Sequence, residues 1–197
     1  EVKEKKFVEG RDYAVKAKQL DPGNPMVYSV LALYAATHND FPAQRRASET
    51  WLSLDPKNAL AYNYEANTQI ILGNYQKAIE LLDKATEVDP RHFRTLIAIS
   101  YVRAYFLLGD NDAAIEWAHT GLELNPKFSK PHVFLAMAYA LKGDDAKARE
   151  AAVNLLRLDP NFKLRNIRKP ESSRPPAHTA AYMEKILPAG RKAGLPE

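Results

Sequence analysis

The stretch that decides the fold is residues 59–90, ALAYNYEANTQIILGNYQKAIELLDKATEVDP. Gly73 and Asn74 divide it into two segments of helical length. Glycine tolerates the left-handed backbone at a helix C-terminus, and asparagine is a strong N-cap for a following helix. Pro90 ends the second segment because proline disfavours helical geometry in the residue before it. The stretch therefore predicts two helices joined by a two-residue turn, near 59–72 and 75–88.

The same pattern recurs along the chain. Five Asp-Pro or Asn-Pro pairs, separated by 34, 34, 36 and 34 residues, end at Pro22, Pro56, Pro90, Pro126 and Pro160. A Gly or Asn followed by Asp or Asn precedes each of the last four prolines and predicts a turn between two helices. The further helices are predicted near 26–38, 42–54, 93–108, 111–124, 129–142 and 145–158. A lone second helix ends near Leu20, and no segment alternates as a strand does.

Small residues recur at fixed places in each repeat, counted back from its proline as position 32. Position 8 is Ala32, Ala66 and Ala136, and position 20 is Ala78, Ala114 and Ala148. Small side chains at these places let paired helices approach closely. The first full repeat departs from the pattern, with Gln44 at position 20 and Trp51 at position 27. The third is two residues longer, which predicts a longer first helix or a wider turn before it.

These positions resemble the signature of the tetratricopeptide repeat (TPR) family. The resemblance implies an all-α fold, a right-handed α-solenoid of helix-turn-helix repeats with a C-terminal capping helix. It covers residues 1–162 as a partial repeat, 1–24, and four repeats, 25–58, 59–92, 93–128 and 129–162. Residues 163–197 then form a basic linker and the capping helix.

The chain carries a net charge of +4, and its basicity lies in the tail, where residues 163–197 hold eight Lys or Arg and three Asp or Glu. The tail predicts a helix near 175–187 that covers the last repeat, with Tyr182, Ile186 and Met183 on its buried side. A contact with phosphates or anionic lipid is the alternative for this charge. Aromatic residues are not interleaved with the basic ones as stacking sites require, so we expect no nucleic acid binding through this chain.

The last seven residues, Arg191–Glu197, resemble the extreme C-terminus of bacterial TolB-like multidomain regulators. In those proteins an adenylate or guanylate cyclase domain, or a winged-helix domain, precedes TPR repeats that finish the chain. The resemblance implies that this chain is the regulatory part of a larger signalling protein. Neither a cyclase nor a winged-helix signature occurs in these residues, so any catalysis is expected in sequence upstream of Glu1.

Enzymatic chemistry is not expected within the chain itself. There is no Cys, which excludes a disulfide scaffold, a thiol nucleophile and a Cys-ligated zinc site. The five His are widely spaced, and His132 takes an aromatic position and is expected to pack in the core. No nucleophile elbow or Gly-rich phosphate loop occurs. We therefore expect no cofactor and no metal, and no stretch is apolar enough to insert into a membrane. The cytoplasm is the default location, because no export signal is visible.

What remains is recognition of a protein or peptide. In TPR stacks the first helices of successive repeats line a concave groove through positions 2, 5, 9 and 12. We call these positions the groove face: Met26, Ser29, Leu33, Ala36; Leu60, Asn63, Asn67, Ile70; Leu96, Ile99, Arg103, Phe106; Lys130, Val133, Met137, Ala140. Asparagine both donates to and accepts from a peptide backbone, and Arg or Lys pairs with carboxylates. The predicted peptide-binding residues are Asn63, Asn67, Arg103, Lys130 and Met137.

Self-association is the alternative function. The aromatic residues Phe41, Trp51, Tyr101, Tyr105 and Phe106 are expected to be exposed around the first and third repeats. An exposed apolar surface of this kind marks an interface with another protein. The chain would then be a homodimerisation module that brings two cyclase or transcriptional regulator domains together.

Overall fold

The computed structural model describes residues 2–38, 40–92, 94–167 and 180–197, with side chains for all of these except residues 2–9, 166 and 182. No strand occurs among them, and the α-helices follow one another in pairs. They are α1 (Val2–Leu20), α2 (Pro25–Thr37), α3 (Phe41–Leu54), α4 (Ala59–Leu72), α5 (Tyr75–Val88), α6 (Arg94–Leu108), α7 (Asn111–Leu124), α8 (Ser129–Lys142), α9 (Asp145–Leu158) and α10 (Leu187–Lys192). The eight helices of the four full repeats are confirmed to within one residue at either end.

The predicted caps account for the helix boundaries. The carboxylate of Asp40 accepts a hydrogen bond from the Ala43 amide, and Asp110 and Asp144 do the same for α7 and α9. Gly73 ends α4 in the left-handed conformation with φ of 85°. Asn74 differs from the prediction: its side chain makes no cap bond and instead donates to Gln69 Oε1 at 2.9 Å.

Each repeat packs its two helices against each other and against the next repeat. The closest pairs are α2 with α3, α4 with α5, α6 with α7 and α8 with α9, and each second helix then contacts the following first helix. Ala66 and Ala78 are fully buried, as expected where two helices approach closely. In the long repeat, α6 has 15 residues against 14 for α4 and α8. The other extra residue falls in the connection 89–93, of which residue 93 lies outside the described part.

The hydrophobic core forms two clusters. A smaller one joins α1, α2, α3 and the first half of α4 around Ala32 and Trp51, and a larger one runs from α4 to the end of the chain. Polar side chains lie between α3 and α4, where Ser48 Oγ donates to Glu65 Oε2 at 2.8 Å and lies 3.1 Å from Thr68 Oγ1. The first repeat is therefore joined to the second partly by hydrogen bonds.

The aromatic residues expected to be exposed are not. Phe41, Trp51, Tyr101 and Phe106 are buried, and Tyr105 is half-buried. Tyr101 stacks on Trp117 with ring centroids 4.0 Å apart and donates to Asp83 Oδ1 at 2.6 Å. These side chains fill the space between repeat layers, so the expectation of an exposed aromatic surface was wrong.

The end of the chain is helical but differs from the prediction. Of the predicted helix, residues 175–179 and the Tyr182 side chain lie outside the described part. The described portion continues through a π-helical turn, Tyr182–Ile186, into α10, five residues beyond Leu187. Met183 is 55% exposed, which corrects its place on the buried side. Ile186 is half-buried, and the fully covered residues are smaller and later: Ala189, Gly190, Ala193 and Leu195.

No helix in the described ranges combines the length and apolar character needed to cross a bilayer.

Candidate functional site

The groove face is carried by α2, α4, α6 and α8. Among these first helices, α4 contacts α6 and α6 contacts α8, so their side chains form one continuous surface. The side chains differ from repeat to repeat: apolar on α2, polar on α4, mixed on α6 and apolar on most of α8. The sequence determines this difference. The helical period places residues three and four apart on one side of each helix, so the residue types at these positions set the character of the groove face.

A row of hydrogen-bonded polar side chains crosses from α4 to α6. The Asn67 amide group Nδ2 donates to the Asn63 carbonyl at 2.8 Å and to Ser100 Oγ at 2.9 Å. Its carbonyl oxygen Oδ1 accepts from Arg103 Nη1 at 2.6 Å. Asn67 therefore holds Arg103 in place and is already engaged at both ends of its amide.

Of the predicted binding residues, the structure brings together Asn63, Asn67 and Arg103. Asn63 is buried, while Asn67 and Arg103 are half-buried. Lys130 is exposed in the first turn of α8 and takes no part in this polar row. Met137 has 0% exposure and presents no surface to a partner in this arrangement.

Ser100 completes the row and was missed by the sequence analysis. It lies one turn before Arg103 on α6, and its hydroxyl also donates to the Leu96 carbonyl at 3.1 Å. A small polar residue within the apolar run Ile97–Val102 was the available signal. Its position 33 residues after Asn67, one repeat later, is what puts the two side chains in contact.

The groove face also carries exposed apolar side chains. Leu33 on α2 is 42% exposed and Leu96 on α6 is 48% exposed, with Met26 more open still. Leu60 on α4 is half-buried. A groove face that carries both exposed apolar groups and an arginine can bury the apolar side chains of a partner and pair with a carboxylate.

A buried carboxyl lies on the other side of α4. Glu65 is buried and accepts from Ser48 Oγ at 2.8 Å and from Gln69 Nε2 at 2.7 Å. Burial raises the pKa of Glu65, because removal from water disfavours its charged form, and the two hydrogen bonds oppose that rise. This group faces α3 and does not belong to the groove face.

His132 lies in the core, as predicted. It is buried, its Nδ1 atom has no hydrogen-bond partner among the described residues, and burial is the largest cause that lowers its pKa. The neutral form is favoured in such surroundings. Within the described residues, no group of three His, Asp or Glu side chains is placed to hold a metal ion.

This fold is similar to that of known proteins. Residues 59–92 match the family model of the tetratricopeptide repeat. The type IV pilus biogenesis factor PilW superposes with a TM-score of 0.73 at 15% identity, over 98% of this chain and 84% of that protein. A thermophilic TPR protein of Thermus thermophilus, TTC0263, gives 0.65 at 18% identity, over 79% and 84%.

YrrB, described as a TPR protein with an unusual peptide-binding site, gives a TM-score of 0.59 at 18% identity, over 91% of this chain and 90% of YrrB. At these identities the likeness concerns the fold. The predicted fold class is confirmed, and the resemblance of the last seven residues to TolB-like regulators stays a prediction. The chain folds as an all-α solenoid of tetratricopeptide repeats.

Proposed function

We propose that this chain is a protein-interaction scaffold that binds an extended segment of a partner protein on the groove face of α2, α4 and α6. The observation that carries the proposal is the polar row that includes Arg103, on a groove face that also exposes Leu33 and Leu96. A guanidinium held in place by Asn67 loses little conformational entropy on pairing with a carboxylate. The partner segment is therefore apolar and carries an Asp, a Glu or a free C-terminus.

Peptides selected from a random twelve-residue phage library on the immobilised full chain provide the probe. The selected sequences are synthesised and titrated calorimetrically against Leu33→Glu, Leu96→Glu and Arg103→Glu. We expect each substitution to weaken binding about ten-fold or more, equivalent to ~1.4 kcal/mol. Val153→Glu, at an exposed apolar residue of α9, is the matched control and should bind as the unmodified chain does.

Two further comparisons sharpen this test. Synthesis of each peptide as the free acid and as the amide distinguishes a C-terminal carboxylate from an acidic side chain as the group that pairs with Arg103. Equal affinity of the unmodified chain and all three groove variants would place binding elsewhere and reject the proposal.

We also propose that the scaffold is the regulatory part of a larger bacterial signalling protein, on the resemblance of Arg191–Glu197 to TolB-like regulators. The reading frame upstream of Glu1 tests this directly. A cyclase or winged-helix domain encoded there would support it, and an unrelated domain would contradict it. Homodimerisation, the alternative function, loses its motivation because four of the five aromatic residues behind it are buried and Tyr105 is half-buried.

A further inference from the structure

The C-terminal segment, defined as residues 180–197, does not take the place of the next repeat. In this array each first helix packs on the second helix before it: α4 on α3, α6 on α5 and α8 on α7. A fifth repeat would therefore begin with a helix on α9. The main contacts of α10 are instead with α8, the first helix of the last repeat.

The groove face of α8 differs from that of the other first helices at position 9. Val133 and Ala140, at positions 5 and 12, are buried, but so are the residues at those positions of α4 and α6. At position 9, Met137 has 0% exposure, whereas Leu33 at the same position of α2 has 42%. Ala181, Ala189, Ala193 and Leu195 belong to the same hydrophobic cluster as Met137. The exposure seen at position 9 of α2 is thus absent on α8, the first helix on which α10 packs.

A glycine lets the segment approach Leu164, which follows α9, closely. A Cβ atom on Gly190 would lie 2.5 Å from Leu164 Cδ1, and Leu164 itself is fully buried. The Leu164 amide donates to the Pro196 carbonyl at 2.6 Å, which ties the end of the segment to the end of the array. No side chain larger than hydrogen fits at Gly190 unless Leu164 moves.

The segment also reaches back to earlier repeats. Lys185 Nζ donates to the Leu107 carbonyl in the last turn of α6, and it lies 5.3 Å from the centre of the Tyr75 ring. The negative end of a helix dipole and the face of an aromatic ring both favour a cation. A lysine four residues before the small residues of α10 therefore has its own site.

We propose that the C-terminal segment is an intramolecular ligand of the groove face, and that its release uncovers a second peptide site on α8. That site takes a short helical peptide with a face of Ala and Gly preceded by a Lys. This inference rests on the proposed function in one respect. A partner bound to α2, α4 and α6 would lie in the same groove as this segment. Most of the side chains that the segment buries are alanines, which bury little apolar area each, so its release costs less than opening a repeat.

A labelled synthetic peptide of residues 180–197 tests this on the full chain. Gly190→Trp displaces the chain's own segment, and Lys192→Trp, at an exposed neighbour, is the matched control. The attached segment competes at a high effective concentration, on the order of millimolar. Because that competition is removed in the Gly190→Trp variant, we expect this variant to bind the peptide at least about ten-fold more tightly than the unmodified chain does. The Lys192→Trp variant should bind it as weakly as the unmodified chain.

Hydrogen exchange locates the change. In the Gly190→Trp variant, the amides of 133–140 should exchange faster while those of α4 and α5 keep their protection. A peptide that itself carries Gly190→Trp should not bind. Equal peptide affinity for all three chains, no binding to the Gly190→Trp variant, or loss of its cooperative unfolding would each overturn the proposal. Failure of the phage-selected peptides in the groove test would leave this result unaffected.

Discussion

At the scale of single residues, Asn67 shows how a groove residue can act without touching a partner. Its amide bridges α4 and α6 through Asn63, Ser100 and Arg103. In the sequence Asn67 resembles a peptide-binding asparagine. In the structure its side chain positions Arg103 instead. A change at Asn67 should therefore affect stability and binding together.

Replacing Asn67 with Ala removes this bridge. Ser100 loses the hydrogen bond that it accepts from Asn67, and Arg103 loses the one that it donates to Asn67. We expect a loss of about 1–3 kcal/mol in the free energy of unfolding, the usual cost when a half-buried polar network loses a member. Urea denaturation followed by circular dichroism measures it. Asn154→Ala on α9 is the control, and equal stability of the two variants would mean that the bridge contributes nothing.

Glu65 makes stability depend on pH. Its pKa is raised in the folded protein, chiefly by burial, with Glu49 raising it slightly and Lys77 opposing. A carboxyl with a raised folded pKa contributes stability below its unfolded pKa and loses that contribution as pH rises through the folded value. Glu65→Gln, which keeps the hydrogen-bonding shape, should therefore be more stable than the unmodified chain at pH 7 and lose that advantage near pH 4.

Thermal unfolding at pH 4, 5.5 and 7 measures the effect of Glu65→Gln. Each kcal/mol gained raises the unfolding midpoint by about 2–4 °C in a chain of this size. Glu150→Gln, at an exposed glutamate of α9, is the control and should show no such trend. A Glu65→Gln variant less stable than the unmodified chain at pH 7 would contradict the raised pKa of Glu65.

At the scale of elements, close approach of the paired helices depends on alanine. Ala66 on α4 and Ala78 on α5 are both fully buried where the two helices meet. A larger side chain there has no space that another rotamer can open, because protein interiors are close-packed. Helix pairing within a repeat is therefore sensitive to single methyl groups.

Ala66→Leu should overpack this contact and lower the free energy of unfolding by about 1–3 kcal/mol. Ala146→Leu, on the exposed side of α9, is the matched control and should have little effect. Chemical denaturation of both variants decides the matter. A stable Ala66→Leu chain would show that the helices can separate without cost.

At the scale of the whole molecule, the core is uneven along the array. The cluster around Ala32 and Trp51 is smaller than the one that runs from α4 to the C-terminus, and the polar contacts of Ser48 and Glu65 lie between α3 and α4. In repeat arrays stability is close to a sum of repeat and neighbour terms. The first repeat should therefore open without the others.

Native-state hydrogen exchange tests this difference. We expect amides of α2 and α3 to exchange faster than those of α6 and α8 by about a factor of ten or more, which is ~1.4 kcal/mol of local stability. The amides of α5, which belongs to the larger cluster, serve as the internal control. Uniform protection from α2 to α8 would mean that the array opens as one unit.

The repeat period, the caps and the Asp-Pro or Asn-Pro ends were enough to predict α2 to α9 from the sequence. These signals act within a few residues of one another, so a linear chain displays them in full. Tertiary structure alone decided that Ser100 meets Asn67, that Trp51 and Tyr101 are buried, and that α10 lies on α8. Those outcomes depend on contacts between residues distant in sequence, and no local pattern encodes which apolar surface a terminal segment will cover.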